Sequence, residues 1–415
     1  KNQKEYAEGT TINMQKNCGR INVLPAVFYV TGKFNEPKLR KSKMKKELEL
    51  YLHIPFCIRK CEYCDFLSGP ADEKSRRVYL DAMLRELAAV GPQAKEYEVI
   101  SVYIGGGTPS LLPGDWMEEL MEVVRDTYCL KKDAEISMEA NPGTLTAINL
   151  AGYHRAGINR LSLGCQSTDD TELKLLGRIH TWAQFQESFQ MAREAGFANL
   201  NVDLMSGLPR QNLTSWEKSL EVIAGMEPEH ISAYSLIIEE GTPFAEKKPE
   251  LPDEEEERRM YERTWEILQS YGYHQYEISN YAQKGKECRH NLGYWTRKEY
   301  LGFGVGSASL FQNQRFTNLR DLSVYGEFNG NPTGPGNTDS RGSDGRNHDS
   351  GPEAALWCIT ERIQEKFRKI RRRSIRTGAG KIQQDGVVEN RRRQDRSDKS
   401  RNQCQQSDHG RFSAG

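Results

Sequence analysis

From Glu47 to Ile54 the apolar residues Leu48, Leu50, Leu52 and Ile54 fall on every second position, the period that places one face of a strand against a core. Val78 to Val90 changes to helical spacing. The stretch from Val99 to Ile104 is apolar and β-branched and predicts a buried strand ending at Gly105. The same reading predicts a helix over Asp115–Tyr128, capped by Asp115 after Pro113 and Gly114, and strands over Ala134–Met138 and Arg160–Leu163. It predicts helices over Leu145–Ala156, Asp169–Leu176, Trp182–Ala195 and Ser215–Gly225. Two further strands are predicted over Leu200–Leu204 and His230–Leu236. Strand and helix therefore alternate through six strands, which demands parallel pairing with right-handed crossovers. The fold class is α/β, a (β/α)6 barrel whose closure periodicity leaves open. Ligands gather at the carboxyl ends of strands in such architectures. Cys57 follows the first strand, Gly105–Gly107 ends the second and Glu139 the third, Gln166 follows the fourth, Asp203 lies in the fifth and Ala233 and Tyr234 in the sixth.

The pattern fails at both ends. Residues 1–43 carry no helical or strand period, and Met44 runs straight into the first strand; a non-native or disordered leader is expected there. Past about Gly330 apolar residues nearly vanish and arginine runs appear at Arg371–Arg373 and Arg391–Arg393. Residues 331–415 read either as a basic disordered tail or as a shifted reading frame; Asp395 to Gly415, back-translated and read one nucleotide later, becomes amphipathic. Between these ends, 44–245 is expected to form the barrel and 246–330 a C-terminal part.

Composition narrows the classes. Lys+Arg and Asp+Glu are both 58, which argues against a nucleic-acid partner. No apolar run approaches the roughly 18 residues of a membrane span. The nine cysteines form no disulfide ladder, and we expect a reducing, cytoplasmic setting.

Cys57, Cys61 and Cys64 follow the first strand with the spacing Cys-x3-Cys-x2-Cys. A [4Fe–4S] cube has four irons, so three thiolates leave one without a protein ligand. That open iron can chelate the amino and carboxylate groups of S-adenosylmethionine (SAM), and an electron from the cube can cleave its sulfonium. The rival is a zinc site completed by His53. The aromatic neighbours Phe56, Tyr63 and Phe66 favour the cluster, because apolar walls shield it and tune its potential. Gly105–Gly107 lets a backbone approach a ligand closely. Asp203 lies in an apolar run, where a carboxylate needs a partner. Cys129, Cys165 and Cys288 read as ordinary cysteines.

Together Tyr51–Phe66, Tyr103–Ser110, Met138–Thr144, Arg160–Ser167 and Asn201–Gln211 resemble the radical SAM superfamily and, within it, the oxygen-independent coproporphyrinogen III oxidase group. The resemblance implies a partial barrel in which Cys57, Cys61 and Cys64 hold the cluster. It implies that Tyr51, Tyr63, Gly106, Gly107, Thr108, Glu139, Gln166, Arg178, Asp203 and Ala233 line SAM sites. The oxidases proper carry a fourth cysteine two residues after the third, where this chain has Phe66. His290, Asn291, Tyr294 and Trp295 form an HNxxYW motif similar to that of the heme chaperone branch. That branch implies a chaperone that binds heme and passes it to a respiratory hemoprotein, with an electron donor such as flavodoxin or ferredoxin. It also implies a homodimer and peripheral membrane docking during delivery. The alternative is an enzyme that oxidatively decarboxylates propionates of coproporphyrinogen III. Read without the resemblance, HNxxYW is a turn with two core aromatics.

Overall fold

The computed structural model describes residues 45–327; the leader and tail expectations lie outside them. Six parallel strands run in sequence order as neighbours: β1 (Lys46–Ile54), β2 (Tyr97–Gly106), β3 (Leu130–Ala140), β4 (Arg160–Gln166), β5 (Leu200–Ser206) and β6 (His230–Ser235). The helices between them are α1 (Glu73–Val90), α2 (Gly114–Thr127), α3 (Ala147–Arg155), α4 (Asp170–Leu175), α5 (Trp182–Glu194) and α6 (Leu213–Gly225). One face of β1 buries Leu48, Leu50, Leu52 and Ile54 completely, together with Leu80, Met83 and Leu87 of α1. Truncating any of these leucines to alanine costs about 2–5 kcal/mol.

Several helix starts differ by one to five residues from the sequence expectation, α3 starting at Ala147 rather than Leu145 and α6 at Leu213 rather than Ser215, and the local chemistry of two explains the difference. Helix α1 begins at Glu73, because the Asp72 side chain accepts from Ser75 N–H; its first turn is polar and carries no apolar period. Helix α2 begins at Gly114 after Pro113 without a side-chain cap, so Asp115 sits inside the first turn, where its charge favours the helix dipole.

Beyond Leu236 the chain forms α7 (Pro243–Lys247), α8 (Glu254–Ser270), β7 (His274–Gln275), β8 (Asn280–Ala282), α9 (Arg289–Trp295), β9 (Tyr300–Phe303), β10 (Ala308–Phe311), β11 (Gln314–Thr317) and α10 (Leu322–Gly326). Their strands extend the same sheet at both edges, giving the order β11-β10-β9-β1-β2-β3-β4-β5-β6-β8-β7 among the described residues. Strand β8 pairs antiparallel with β6, and β9 pairs parallel with β1. The segment from β8 through α9 to β9 therefore passes from one edge of the barrel sheet to the other. Within 246–327 the strands from His274 to Thr317 join this same sheet rather than form a separate one.

The strands' inward positions are polar. Glu49, Ser101, Glu135, Arg160, Asn201 and His230 are all buried. Within this layer the His230 ring pairs with Asn201 Oδ1 and the Tyr276 hydroxyl, at 2.5 and 2.8 Å.

Candidate functional site

Cys57, Cys61 and Cys64 lie half-buried in the loop that leaves β1. Backbone bonds hold it: Cys57 N–H donates to Gly69 O at 2.9 Å, and Glu62 N–H to Leu176 O at 3.0 Å. Burial pushes the Cys64 thiol up to about 12, so a thiolate there needs a metal's positive charge. His53 is fully buried beneath this loop. Its Nε2 donates to Leu67 O and its Nδ1 accepts from the Tyr51 hydroxyl, both at 3.0 Å, and burial holds the ring neutral by lowering its pKa to about 4. Both nitrogens are thus occupied, against the zinc alternative.

Two side-chain donors reach the sulfurs. Thr108 Oγ1 lies 3.6 Å from Cys57 Sγ, and Arg178 Nη1 lies 3.8 Å from Cys61 Sγ. Arg178 also donates from Nη2 to Gly164 O at 2.7 Å, while its buried Nε has no partner within the described residues. An arginine cation beside three thiols, with one donor to spare, fits an anionic cluster and a carboxylate-bearing ligand. Gly107 N–H donates to Ile54 O at 2.8 Å, and a Cβ on Gly107 would stand 2.6 Å from Phe56 O, so only glycine allows this approach. Gly106, at φ +111°, donates its N–H to Glu139 Oε2 at 3.0 Å. Glu139 also accepts from the Tyr103 hydroxyl at 3.0 Å; burial, and then the nearby Asp203, raise its carboxyl to about 7.

The remaining rim positions follow from the strands. Asp203 accepts from Asn201 Nδ2 at 2.7 Å and Ser162 Oγ at 3.1 Å, the partners that its buried position requires; burial still raises its pKa. Gln166 has φ +69° at a register shift between β4 and β5, a bulge that re-aims its side chain toward the Tyr234 hydroxyl, 3.3 Å away. Tyr63 packs against Leu176, Met205, Leu208, Leu236 and Phe244. Ala233 differs from the others. Its side chain lies in the apolar core and its N–H donates to Ser279 O, so it offers the rim no side chain.

The HNxxYW residues sit elsewhere, on α9 in the amino-terminal half of the barrel. Glu135 of β3 accepts from Arg289 N–H at 3.0 Å, His290 N–H at 3.3 Å and Cys288 Sγ at 3.4 Å, which ties the start of α9 into the lumen. His290 is 2% exposed. Its Nδ1 pairs with Ser101 Oγ at 2.9 Å and its Nε2 with the Tyr294 hydroxyl at 3.0 Å. Its ring stacks on Tyr103 with centroids 5.2 Å apart. Burial lowers its pKa to about 3. Asn291 Nδ2 donates to the Tyr276 hydroxyl at 3.3 Å, and Trp295 ends the helix. Glu49, fully buried, lies 4.0 Å from His290 Nδ1, and neither of its oxygens has a hydrogen-bond partner among the described residues. Burial raises its carboxyl to about 8, with the neighbouring Ser101 hydroxyl only partly offsetting the loss of water. At neutral pH both groups are mainly uncharged, so the contact is not an ion pair. Sequence reasoning missed Glu49, Glu135 and Tyr103; the signal was the polar residue on every second position of otherwise apolar strands.

A family model described as the Radical SAM superfamily matches residues 51–223, the span from β1 into α6. The solved structure titled coproporphyrinogen III oxidase (HemN) from Escherichia coli, a radical SAM enzyme, superposes with a TM-score of 0.60 at 25% identity, over 68% of this chain and 69% of that one. The heme chaperone HemW of Escherichia coli K12 is 42% identical over 261 residues, 63% of this chain and 69% of that protein. The heme chaperone HemW of Bacillus subtilis 168 is 38% identical over 285 residues, 66% of this chain and 74% of that protein. The chain belongs to the radical SAM superfamily and, within it, to the heme chaperone HemW family. The superfamily implies a [4Fe–4S] cluster and SAM.

Proposed function

We propose that this protein is a heme chaperone that binds heme and delivers it to a respiratory hemoprotein. The observation that carries the reading is 42% identity to a heme chaperone in a chain that has Phe66 where the oxidases have a fourth cysteine. In this reading Cys57, Cys61 and Cys64 hold a [4Fe–4S] cluster and leave one iron for SAM. Bound SAM supplies one-electron cleavage chemistry at its sulfonium. Arg178 and Gln166 would hold the SAM carboxylate or sugar, Gly106 and Gly107 would let the backbone meet its amino group, and Glu139 would accept from its ribose. Tyr51, Tyr63, Thr108, Asp203 and the Ala233 backbone complete the surroundings. A flavodoxin or ferredoxin supplies electrons, the protein pairs with a second copy, and it meets the membrane only at its periphery. Among the described residues no helix is long and apolar enough to cross a bilayer.

Heme is assigned to His290, Asn291, Tyr294 and Trp295. His290 can ligate iron only after one of its two ring bonds is broken, and that exchange links heme uptake to the seating of α9. The second reading, decarboxylation of coproporphyrinogen III propionates, draws on the likeness to the oxidase structure. One pair of assays separates them. Anaerobically reconstituted protein titrated with heme should develop a Soret band, and with coproporphyrinogen III, SAM and reductant it should yield no protoporphyrinogen IX. Turnover in the second assay overturns the chaperone reading.

A further inference from the structure

Pro142, Gly143 and Thr144 follow β3, and the residue before them, Asn141, bridges the two donors that reach the cysteines. Arg178 Nη2 donates to Asn141 Oδ1 at 2.7 Å, and Asn141 Nδ2 lies 2.8 Å from Thr108 Oγ1. Chemistry fixes the orientation of this amide. Arginine only donates, so the carbonyl oxygen must face Arg178 and the NH2 must face Thr108. Thr108 Oγ1 therefore accepts from Asn141, and its single proton remains free to point at Cys57 Sγ, 3.6 Å away. On the other side, the bonds of Nη2 to Asn141 and Gly164 O hold the guanidinium so that Nη1 meets Cys61 Sγ. Asn141 is itself fixed: its N–H donates to Ser110 Oγ at 3.1 Å, and its carbonyl accepts from Thr144 Oγ1 at 2.7 Å.

We propose that Asn141 is a positioning residue that sets the proton direction of Thr108 and the aim of Arg178, so that two of the three cluster sulfurs each receive a hydrogen bond and the cluster's reduction potential is raised. The inference rests on the reading that Cys57, Cys61 and Cys64 hold the cluster. Hydrogen bonds to cluster sulfurs stabilise the more negative, reduced state. Asn141 then acts on electron uptake without touching the iron.

Asn141→Asp tests this with almost no change of shape. A carboxylate accepts from Arg178 as before, but it also takes the Thr108 proton, and Cys57 Sγ loses its donor. Thr108→Val removes the same donor alone. EPR-monitored redox titration of the full chain, reconstituted with iron and sulfide, reads the midpoint potential. Both variants are expected to shift it lower. In the double variant the combined shift should be smaller than the sum of the two, because the shared hydrogen bond can be lost only once; the remainder is the added charge of Asp. Thr108→Ser should restore the wild-type potential. Additive shifts, or an unchanged potential in Thr108→Val, overturn the inference. Should Asn141→Asp fail to fold by circular dichroism, an unchanged potential in Thr108→Val still overturns the inference, and Asn141→Ser, which removes the amide without adding charge, is expected to lower the potential in its place. Wild-type protein that takes up no cluster sinks the underlying reading, and the inference with it, and that outcome is distinct because no potential is then measurable.

Discussion

Glu49 is the residue whose chemistry is most at odds with its sequence setting. It alternates with Leu48 and Leu50 on β1 as an exposed strand residue would, yet it is fully buried in the lumen with both oxygens unpartnered among the described residues. Its carboxyl titrates near 4.5 in the unfolded chain and about 8 in the fold, so the folded state binds the extra proton. A raised folded pKa contributes its stability below the unfolded value and loses it as pH climbs through the folded one. Stability should therefore fall between pH 4.5 and 8. Glu49→Gln, which cannot ionise, should flatten that fall and gain roughly a few kcal/mol over wild type at alkaline pH. Urea midpoints of both proteins, taken at mildly acidic and mildly alkaline pH, check the difference; parallel curves would mean that water reaches Glu49 and that it ionises in the fold near its unfolded value.

At the scale of an element, α9 is held by position more than by propensity. It has seven residues, too few to persist alone, and it is seated by Glu135 at its start and by the fit of Gly293 against β1. A Cβ on Gly293 would stand 2.0 Å from the Glu49 carboxylate, so either the buried Glu49 side chain or the helix must shift. Gly293→Ala should therefore unseat α9 at a cost of about 1–3 kcal/mol. Hydrogen exchange should quicken over residues 289–295 while β1 to β6 stay protected. If the proposed role of His290 is right, the same variant should take up heme faster, because the ring is released from Ser101 and Tyr294. Exchange rates equal to wild type would show that the helix accommodates the methyl in place.

For the whole molecule, the two sets of candidate residues lie at different levels of one lumen. The cysteine loop leaves the carboxyl end of β1, whereas α9 bonds to Ser101 and Glu135 lower in β2 and β3. Tyr103 connects the levels, bonded to Glu139 above and stacked on His290 below. Replacing Cys57, Cys61 and Cys64 together by alanine should abolish the reduced-cluster EPR signal and leave heme affinity within about twofold of wild type, since twofold is under 0.5 kcal/mol. Loss of the Soret band in that variant would join the two sites into one. The pairing of β9 with β1 and of β8 with β6 makes residues 274–317 part of the barrel sheet, so a chain cut before β7 should not fold cooperatively.

The alternation of Leu48, Leu50, Leu52 and Ile54, the helix spacings and the turn residues between them determined the six parallel strands, because burial of a periodic apolar face is a local demand that each segment carries by itself. The cysteine spacing and the glycine triplet were legible for the same reason: the chemistry that they suit depends on neighbours in the chain. Other features depended on residues far apart in sequence. Only the tertiary structure decided that α9 lies inside the lumen, that Ala233 turns its side chain to the core, that a bulge re-aims Gln166, and that Asn141 stands between Thr108 and Arg178. Short edge strands such as β7 and β8 have too few residues to show a period, and a hydrogen bond across a barrel leaves no spacing in the sequence that forms it.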